Sequence, residues 1–202
     1  MAGALRTEDL SSRLAGPFDV VVEPGEALAV TGASGAGKSL FLRMIADLDP
    51  NRGEVFLGDV ARSGLPAHDW RRRVVYVGAE TGWWSDEVAA HIAPEHAASA
   101  ADLAARLGLA TELLSAKVAR LSTGERQRLA LIRALVRAPP ALLLDEPTAA
   151  LDRDSVGKVE DLLAERLAAG TVLVLVTHDP GQAQRLARRH LVMKAGKLVQ
   201  PS

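Results

Sequence analysis

An α/β fold, with a mostly parallel sheet covered by helices, is predicted by three observations. Short apolar runs alternate with longer segments of helical periodicity. A glycine-rich octapeptide, Gly32-Ala33-Ser34-Gly35-Ala36-Gly37-Lys38-Ser39, directly follows one of those runs. Another run, Leu142-Leu143-Leu144, ends in two acids, Asp145 and Glu146. The 202 residues fit one sizeable domain, and an apolar content of 48% is ample for its core.

The elements follow in order. Val20-Val21-Val22 and Ala27 to Thr31 read as strands around the turn Glu23-Pro24-Gly25-Glu26. After the octapeptide, Leu40 to Leu48 reads as a helix. Arg52 to Asp59 is a short strand between glycine turns, and Val74 to Val77 is another strand. From Leu121 a capped amphipathic helix carries Arg126, Arg133 and Arg137 on a solvated basic face, with Leu129, Ile132 and Val136 on another. Pro139 and Pro140 stop it, and Ala141 to Leu144 follows as a buried strand. Val156, Val159, Leu163 and Leu167 share one face of a helix that Gly170 closes. Val172 to Val176 is the next buried strand. Asp179 then sets a cap with Pro180 at the first helical position. Leu191 to Val199 reads as a hairpin.

The octapeptide fits G-x-x-x-x-G-K-[ST], a loop whose backbone amides wrap nucleotide phosphates. Its glycines reach positive φ and let the backbone approach a phosphate with no Cβ in the way. Lys38 supplies a compact positive charge for the β and γ oxygens, and Ser39 a hydroxyl for a magnesium ion. The amino end of the following helix adds amides and a partial positive charge. The candidate nucleotide ligands are therefore Gly32, Ala33, Ser34, Gly35, Ala36, Gly37, Lys38 and Ser39. Asp145 and Glu146 end a strand at the carboxyl edge of the sheet, where ligands of open α/β folds sit. Asp145 is placed to hold magnesium, because hard oxygen ligands suit that ion. Glu146 could polarise the attacking water, and His178, on the same edge, is a candidate γ-phosphate contact.

Composition narrows the function. A net charge of −1 makes no overall case for nucleic acid or an anionic membrane as partner, and Arg71-Arg72-Arg73 reads as a solvated turn. The absence of cysteine excludes disulfides and thiolate metal sites, and is compatible with a reducing cytoplasm. The opening MAGALRTEDL is unlike a secretory signal, and no apolar run approaches the length of about 20 residues that spans a bilayer. A soluble chain is expected, with no regulatory domain after the final hairpin.

Leu121-Ser122-Thr123-Gly124-Glu125, followed by its helix and the acid-tipped strand, resembles the signature segment of ATP-binding cassette (ABC) ATPases. The phosphate loop at 32–39, the signature at 121–125, the acids at 145–146, the Ala150-Leu151-Asp152 loop and His178 occur in that family's order. The resemblance covers nearly the whole chain. It implies a P-loop NTPase core of ABC ATPase type over 1–202, with an antiparallel β subdomain and a short helical subdomain inserted at approximately 81–138. It also implies ATP and Mg2+ as ligands: Ser39 and Asp145 on the magnesium, Glu146 as the catalytic base and His178 on the γ-phosphate. Ser122 and Gly124 would contact ATP bound to a second copy or a relative of the chain, and Asp152 would lie at that two-fold seam. The implied setting is peripheral, on the cytoplasmic face of the inner membrane, driving a separately encoded permease.

The chain departs from the family's pattern in places. Where the family has glutamine after the Val74–Val77 strand stands Ala79, with Glu80 beside it; Glu80 either takes over the magnesium or water contact or is a solvated loop acid. The aromatic that usually stacks on adenine has its nearest counterpart in Leu14, which predicts poor discrimination between ATP and GTP. Thr123, Glu125 and Leu40 also depart from the usual residues. Trp70, Tyr76, Trp83 and Trp84 crowd together, either as a partner-binding surface or as filling beside the helical subdomain. A soluble non-transport ABC-type ATPase and an ATP-binding regulatory module are the alternatives to a transporter subunit.

Overall fold

A computed structural model of the protein describes residues 3–201. They form two compact units. The first holds the described residues up to Tyr76, Pro139–Glu146, and those from Ala164 onward; the second holds Val77–Ala138 and Pro147–Leu163.

The first unit opens with strands β1 (Leu5–Ser11), β2 (Phe18–Val22) and β3 (Ala27–Thr31), then helix α1 (Lys38–Ile45). Strands β4 (Arg52–Leu57) and β5 (Val60–Ala61), helix α2 (Ala67–Arg73) and strand β6 (Val74–Val77) follow. An antiparallel sheet has the order β2-β1-β4-β5. In β2 the side chains alternate: Phe18, Val20 and Val22 face inward while Asp19 and Val21 face out. Strand β1 was hidden in the sequence by Arg6, Glu8 and Asp9. Its register shifts after Thr7 against β2 and after Glu8 against β4, and Asp9 takes a positive φ of 49°, so the inward residues Leu5, Thr7 and Leu10 break the two-residue period.

The second unit contributes helices α3 (Ala97–Arg106) and α4 (Thr123–Leu135), which pack on each other and bury Leu103, Leu107, Leu129 and Ile132. Arg128 closes this packing by donating to the Leu107 carbonyl at 3.1 Å and to Ser155 Oγ at 3.0 Å.

The remaining elements are strand β7 (Ala141–Asp145), helix α5 (Arg153–Ala168), strand β8 (Val172–Val176), helix α6 (Pro180–Leu186) and strands β9 (Arg189–Lys194) and β10 (Lys197–Val199). The larger sheet has the order β10-β9-β3-β8-β7-β6. Strands β7, β8, β3 and β9 run parallel, with Asp145 level with Val176 and Thr31 level with Val192. That register brings the loops after β3, β7 and β8 to one edge. Every residue of β7 and β8 is buried, as their unbroken apolar runs require. The predicted hairpin is present, but its first strand also extends the parallel sheet beside β3.

The basic run Arg71–Arg73 is exposed, as expected, but forms the last turn of α2 and not a turn between elements. Trp70, in the same helix, is fully buried and donates from Nε1 to the Ile45 carbonyl at 2.9 Å. Burial of one large ring is what orders these polar residues. Phe18 meets Phe41 edge to face at 4.8 Å within the same core. Trp70→Ala should lower unfolding free energy by about 3–5 kcal/mol, read from urea denaturation, because it leaves a ring-sized cavity and an unpaired carbonyl.

Candidate nucleotide and metal site

The phosphate loop leaves β3 at Gly32, whose φ is 139°; a Cβ there would sit 2.4 Å from the Met193 carbonyl oxygen on β9. Only glycine fits that approach. Gly35 and Gly37 also take positive φ, and Gly37 turns the chain into α1. Lys38, the first residue of α1, is buried and folded back onto its own loop. Its ammonium donates to the Gly32 carbonyl at 2.7 Å and the Ala33 carbonyl at 2.9 Å. The β9–β10 turn braces the outside, with the Gly196 amide donating to the Ala36 carbonyl at 3.0 Å. Ser39 is exposed on the first turn, which carries no acidic residue to neutralise the helix end.

At the tip of β7, Asp145 is buried, and its Oδ2 accepts a hydrogen bond from the Tyr76 hydroxyl at 3.1 Å. Glu146 follows with a left-handed φ of 51°, while its amide still donates to the Val176 carbonyl. The backbone thus extends the ladder to β8 and then swings the Glu146 carboxylate toward His178. Oε2 accepts from the His178 amide at 3.2 Å, and Oε1 lies 3.1 Å from His178 Nε2. Burial pushes the Glu146 carboxyl above its ordinary range, opposed by the His178 amide and by the charges of His178 and Lys38. The Asp145 charge adds to the upward push.

Lys38, Asp145, Glu146 and His178 therefore belong to one unit and one sheet edge, and the charges of the other three act on Glu146. Among the described residues no three His, Cys, Asp or Glu side chains cluster as a ready metal cage. A hydroxyl and a carboxylate with open positions for phosphate and water suit magnesium, which keeps several waters.

The second unit carries the rest of the candidate residues. Ser122 caps α4 in a closed box: its Oγ accepts from the Glu125 amide at 3.3 Å, and its own amide and hydroxyl donate to the Glu125 carboxylate at 2.8 Å. Those bonds hold the Glu125 carboxyl below its ordinary range. Gly124 has the Ala150 carbonyl at its back, 3.1 Å from where a Cβ would be. Asp152 caps α5 through the Ser155 amide and hydroxyl, each at 2.9 Å. Glu80 is exposed and, with Thr123 and Arg126, lines an open cleft of about 450 Å³.

The basic face of α4 is not wholly solvated. Arg133 stacks on Trp83 and Trp84, with its guanidinium carbon 4.8 and 5.1 Å from the ring centroids, and donates to the Gly82 carbonyl at 2.8 Å. Trp84 remains 73% exposed. The aromatic cluster therefore divides: Trp70 is core, Tyr76 serves Asp145, and Trp84 faces solvent. Tyr76 is the site residue that sequence reasoning did not assign; a phenol on a strand beside the acid-tipped strand was its one signal.

Comparison with known proteins fits this geometry. A sequence model of the family described as ABC transporter matches residues 16–149. The aliphatic sulfonates import ATP-binding protein SsuB of Ralstonia nicotianae is 42% identical over 189 residues, covering 90% of this chain and 64% of that protein. The methionine import ATP-binding protein MetN of Xanthomonas euvesicatoria is 36% identical, covering 91% of this chain and 59% of its own length. The lipoprotein-releasing system ATP-binding protein LolD of the same species is 39% identical, with coverages of 90% and 80%. The chain thus spans about three fifths of the sulfonate and methionine relatives. A solved structure described as the ATP-binding subunit of an ABC transporter superposes with a TM-score of 0.83 at 24% identity, covering 96% of this chain and 88% of that one. On the family match, the relatives and the shared fold together, the chain belongs to the ABC transporter family and has the fold of its ATP-binding subunits.

Proposed function

We propose that the chain is the ATP-hydrolysing subunit of an ABC transporter. It would work as a two-fold pair on the cytoplasmic face of the membrane and drive a separately encoded permease. The observation that carries this reading is the shared sheet edge, where a lysine-filled phosphate loop, Asp145 and the Glu146–His178 pair leave adjacent parallel strands. Lys38 and the loop amides would neutralise the triphosphate, while Ser39 and Asp145 would hold Mg2+. When bound, the ion neutralises phosphate charge and fixes the orientation of the γ-phosphoryl group. Glu146 accepts the proton of the attacking water, and His178 keeps that carboxylate aimed.

Ser122 and Gly124 would reach the nucleotide held by the other copy, with Asp152 at the seam. Glu80 is proposed to substitute for the family's glutamine toward magnesium or water. The exposed Trp84, rigidified by Arg133, is proposed as a permease contact. Among the described residues no helix is long and apolar enough to cross a membrane, which suits a peripheral subunit.

Base recognition should be loose. Leu14 is 82% exposed beside the Gly196 turn that braces the loop, and offers no ring to stack on. The test is magnesium-dependent phosphate release from purified protein, with ATP and GTP compared. Turnover of both at KM values within about threefold is expected; no turnover and no nucleotide binding would overturn the reading.

A further inference from the structure

We infer that Tyr76 is the positioning residue for the metal-side carboxylate, the last link of a relay Asp49–Arg43–Tyr76–Asp145 that joins the phosphate-loop helix to the magnesium site. The inference rests on the proposed function, in which Asp145 serves the metal. Asp145 is only 3% exposed, so the orientation of its carboxylate is set by protein partners. Tyr76 donates to Oδ2 at 3.1 Å and so fixes how the carboxylate is turned.

The phenol is itself held. Arg43 lies in α1, and its guanidinium grips Asp49 as a fork, Nε to Oδ2 at 2.7 Å and Nη2 to Oδ1 at 2.8 Å. The same guanidinium stands beside the Tyr76 hydroxyl, where its charge acts on the phenol. The phenol proton goes to the Asp145 carboxylate, with the Arg43 cation on hand to polarise the phenol. A phenol beside a cation is a stronger donor. Arg43 is in the helix that begins with Lys38, so any shift of that helix on phosphate binding changes the field at the phenol that holds Asp145.

The relay can be tested by binding, independently of turnover. The affinity of a fluorescent ATP analogue is measured in EDTA and across a magnesium series for wild type, Tyr76→Phe, Arg43→Gln and Asp145→Asn. Tyr76→Phe should bind as wild type does in EDTA, whereas the magnesium concentration giving half of the metal-dependent gain should rise about three- to tenfold, the net worth of a typical hydrogen bond. Arg43→Gln should shift the same midpoint in the same direction by less. Asp145→Asn should abolish most of the gain. If Asp145→Asn removes the gain but Tyr76→Phe leaves the midpoint unchanged, the relay is wrong and the metal assignment stands. If Asp145→Asn itself changes nothing, the metal assignment fails. Should Tyr76→Phe not fold, as judged by its thermal midpoint, an unshifted magnesium midpoint for Arg43→Gln overturns the relay instead.

Discussion

Glu146→Gln is expected to lower the rate of ATP turnover by about 10²–10⁴-fold while leaving ATP bound, the range typical for losing a general base. The substitution keeps the shape of the side chain. The amide oxygen can still accept from the His178 amide, now at 3.2 Å from Oε2, and the amide nitrogen can donate to a neutral His178 ring. What disappears is the ability to take a proton from water. A negative charge also leaves the neighbourhood of Asp145 and of the incoming triphosphate, so affinity for ATP should hold or rise, and the two-fold pair should persist with nucleotide trapped in it. Rapid-mix phosphate release together with size-exclusion chromatography in MgATP reads both effects. Turnover at the wild-type rate would remove Glu146 from the role of base.

The pH dependence follows from the same carboxyl. Its folded-state pKa is raised above 4.5, and a base must be ionised to act. Turnover should therefore fall off on the acid side at a pH above that of an ordinary glutamate. The stability sign also follows: the folded state binds this proton more tightly than the unfolded chain does. Glu146 therefore makes stability decline as pH rises from 4.5 through the raised value. At neutral pH its burial as an anion is a cost, and Glu146→Gln should be at least as stable there as wild type.

The parts of this site that were readable in the sequence are those fixed by local chemistry. Gly32, Gly35 and Gly37 are needed for positive φ within one loop, and the runs at Ala141–Leu144 and Val172–Val176 are apolar without interruption because both strands are buried throughout. The Ser122–Glu125 box spans three residues, so it too could be read as a cap. What escaped depends on partners remote in sequence. Tyr76 and Asp145 are 69 residues apart, and only the strand order β8-β7-β6 makes them neighbours. Arg133 looked like one of several surface cations on a helix until Trp83, Trp84 and the Gly82 carbonyl enclosed it. Helix α2 was concealed by Arg71–Arg73 because its single buried anchor, Trp70, carries more apolar area than a periodicity count assigns it.

Lys38→Met should reduce ATP affinity at least about a hundredfold while leaving the fold in place. The fold is expected to survive because methionine matches lysine in helix propensity and in unbranched length, and position 38 is already buried. The nucleotide site should fail for two reasons that act together. On the proposed reading the ammonium supplies charge to the β and γ oxygens, and it also holds the loop in its wrapped shape through the Gly32 and Ala33 carbonyls. A charged hydrogen bond to each of the β and γ oxygens would be worth about 1.5–3 kcal/mol, so losing both exceeds a hundredfold at about 1.4 kcal/mol per factor of ten. The helix end alone contributes about 0.3–1 kcal/mol, too little to replace them. Lys38→Arg separates the two reasons, because it keeps the charge but cannot fit a planar fork between carbonyls spaced for an ammonium. Titration with a fluorescent ATP analogue should rank wild type far above Lys38→Arg, and Lys38→Arg at or above Lys38→Met, with thermal midpoints close together. If Lys38→Met binds the analogue as wild type does, the loop closed by this lysine is not where the triphosphate sits.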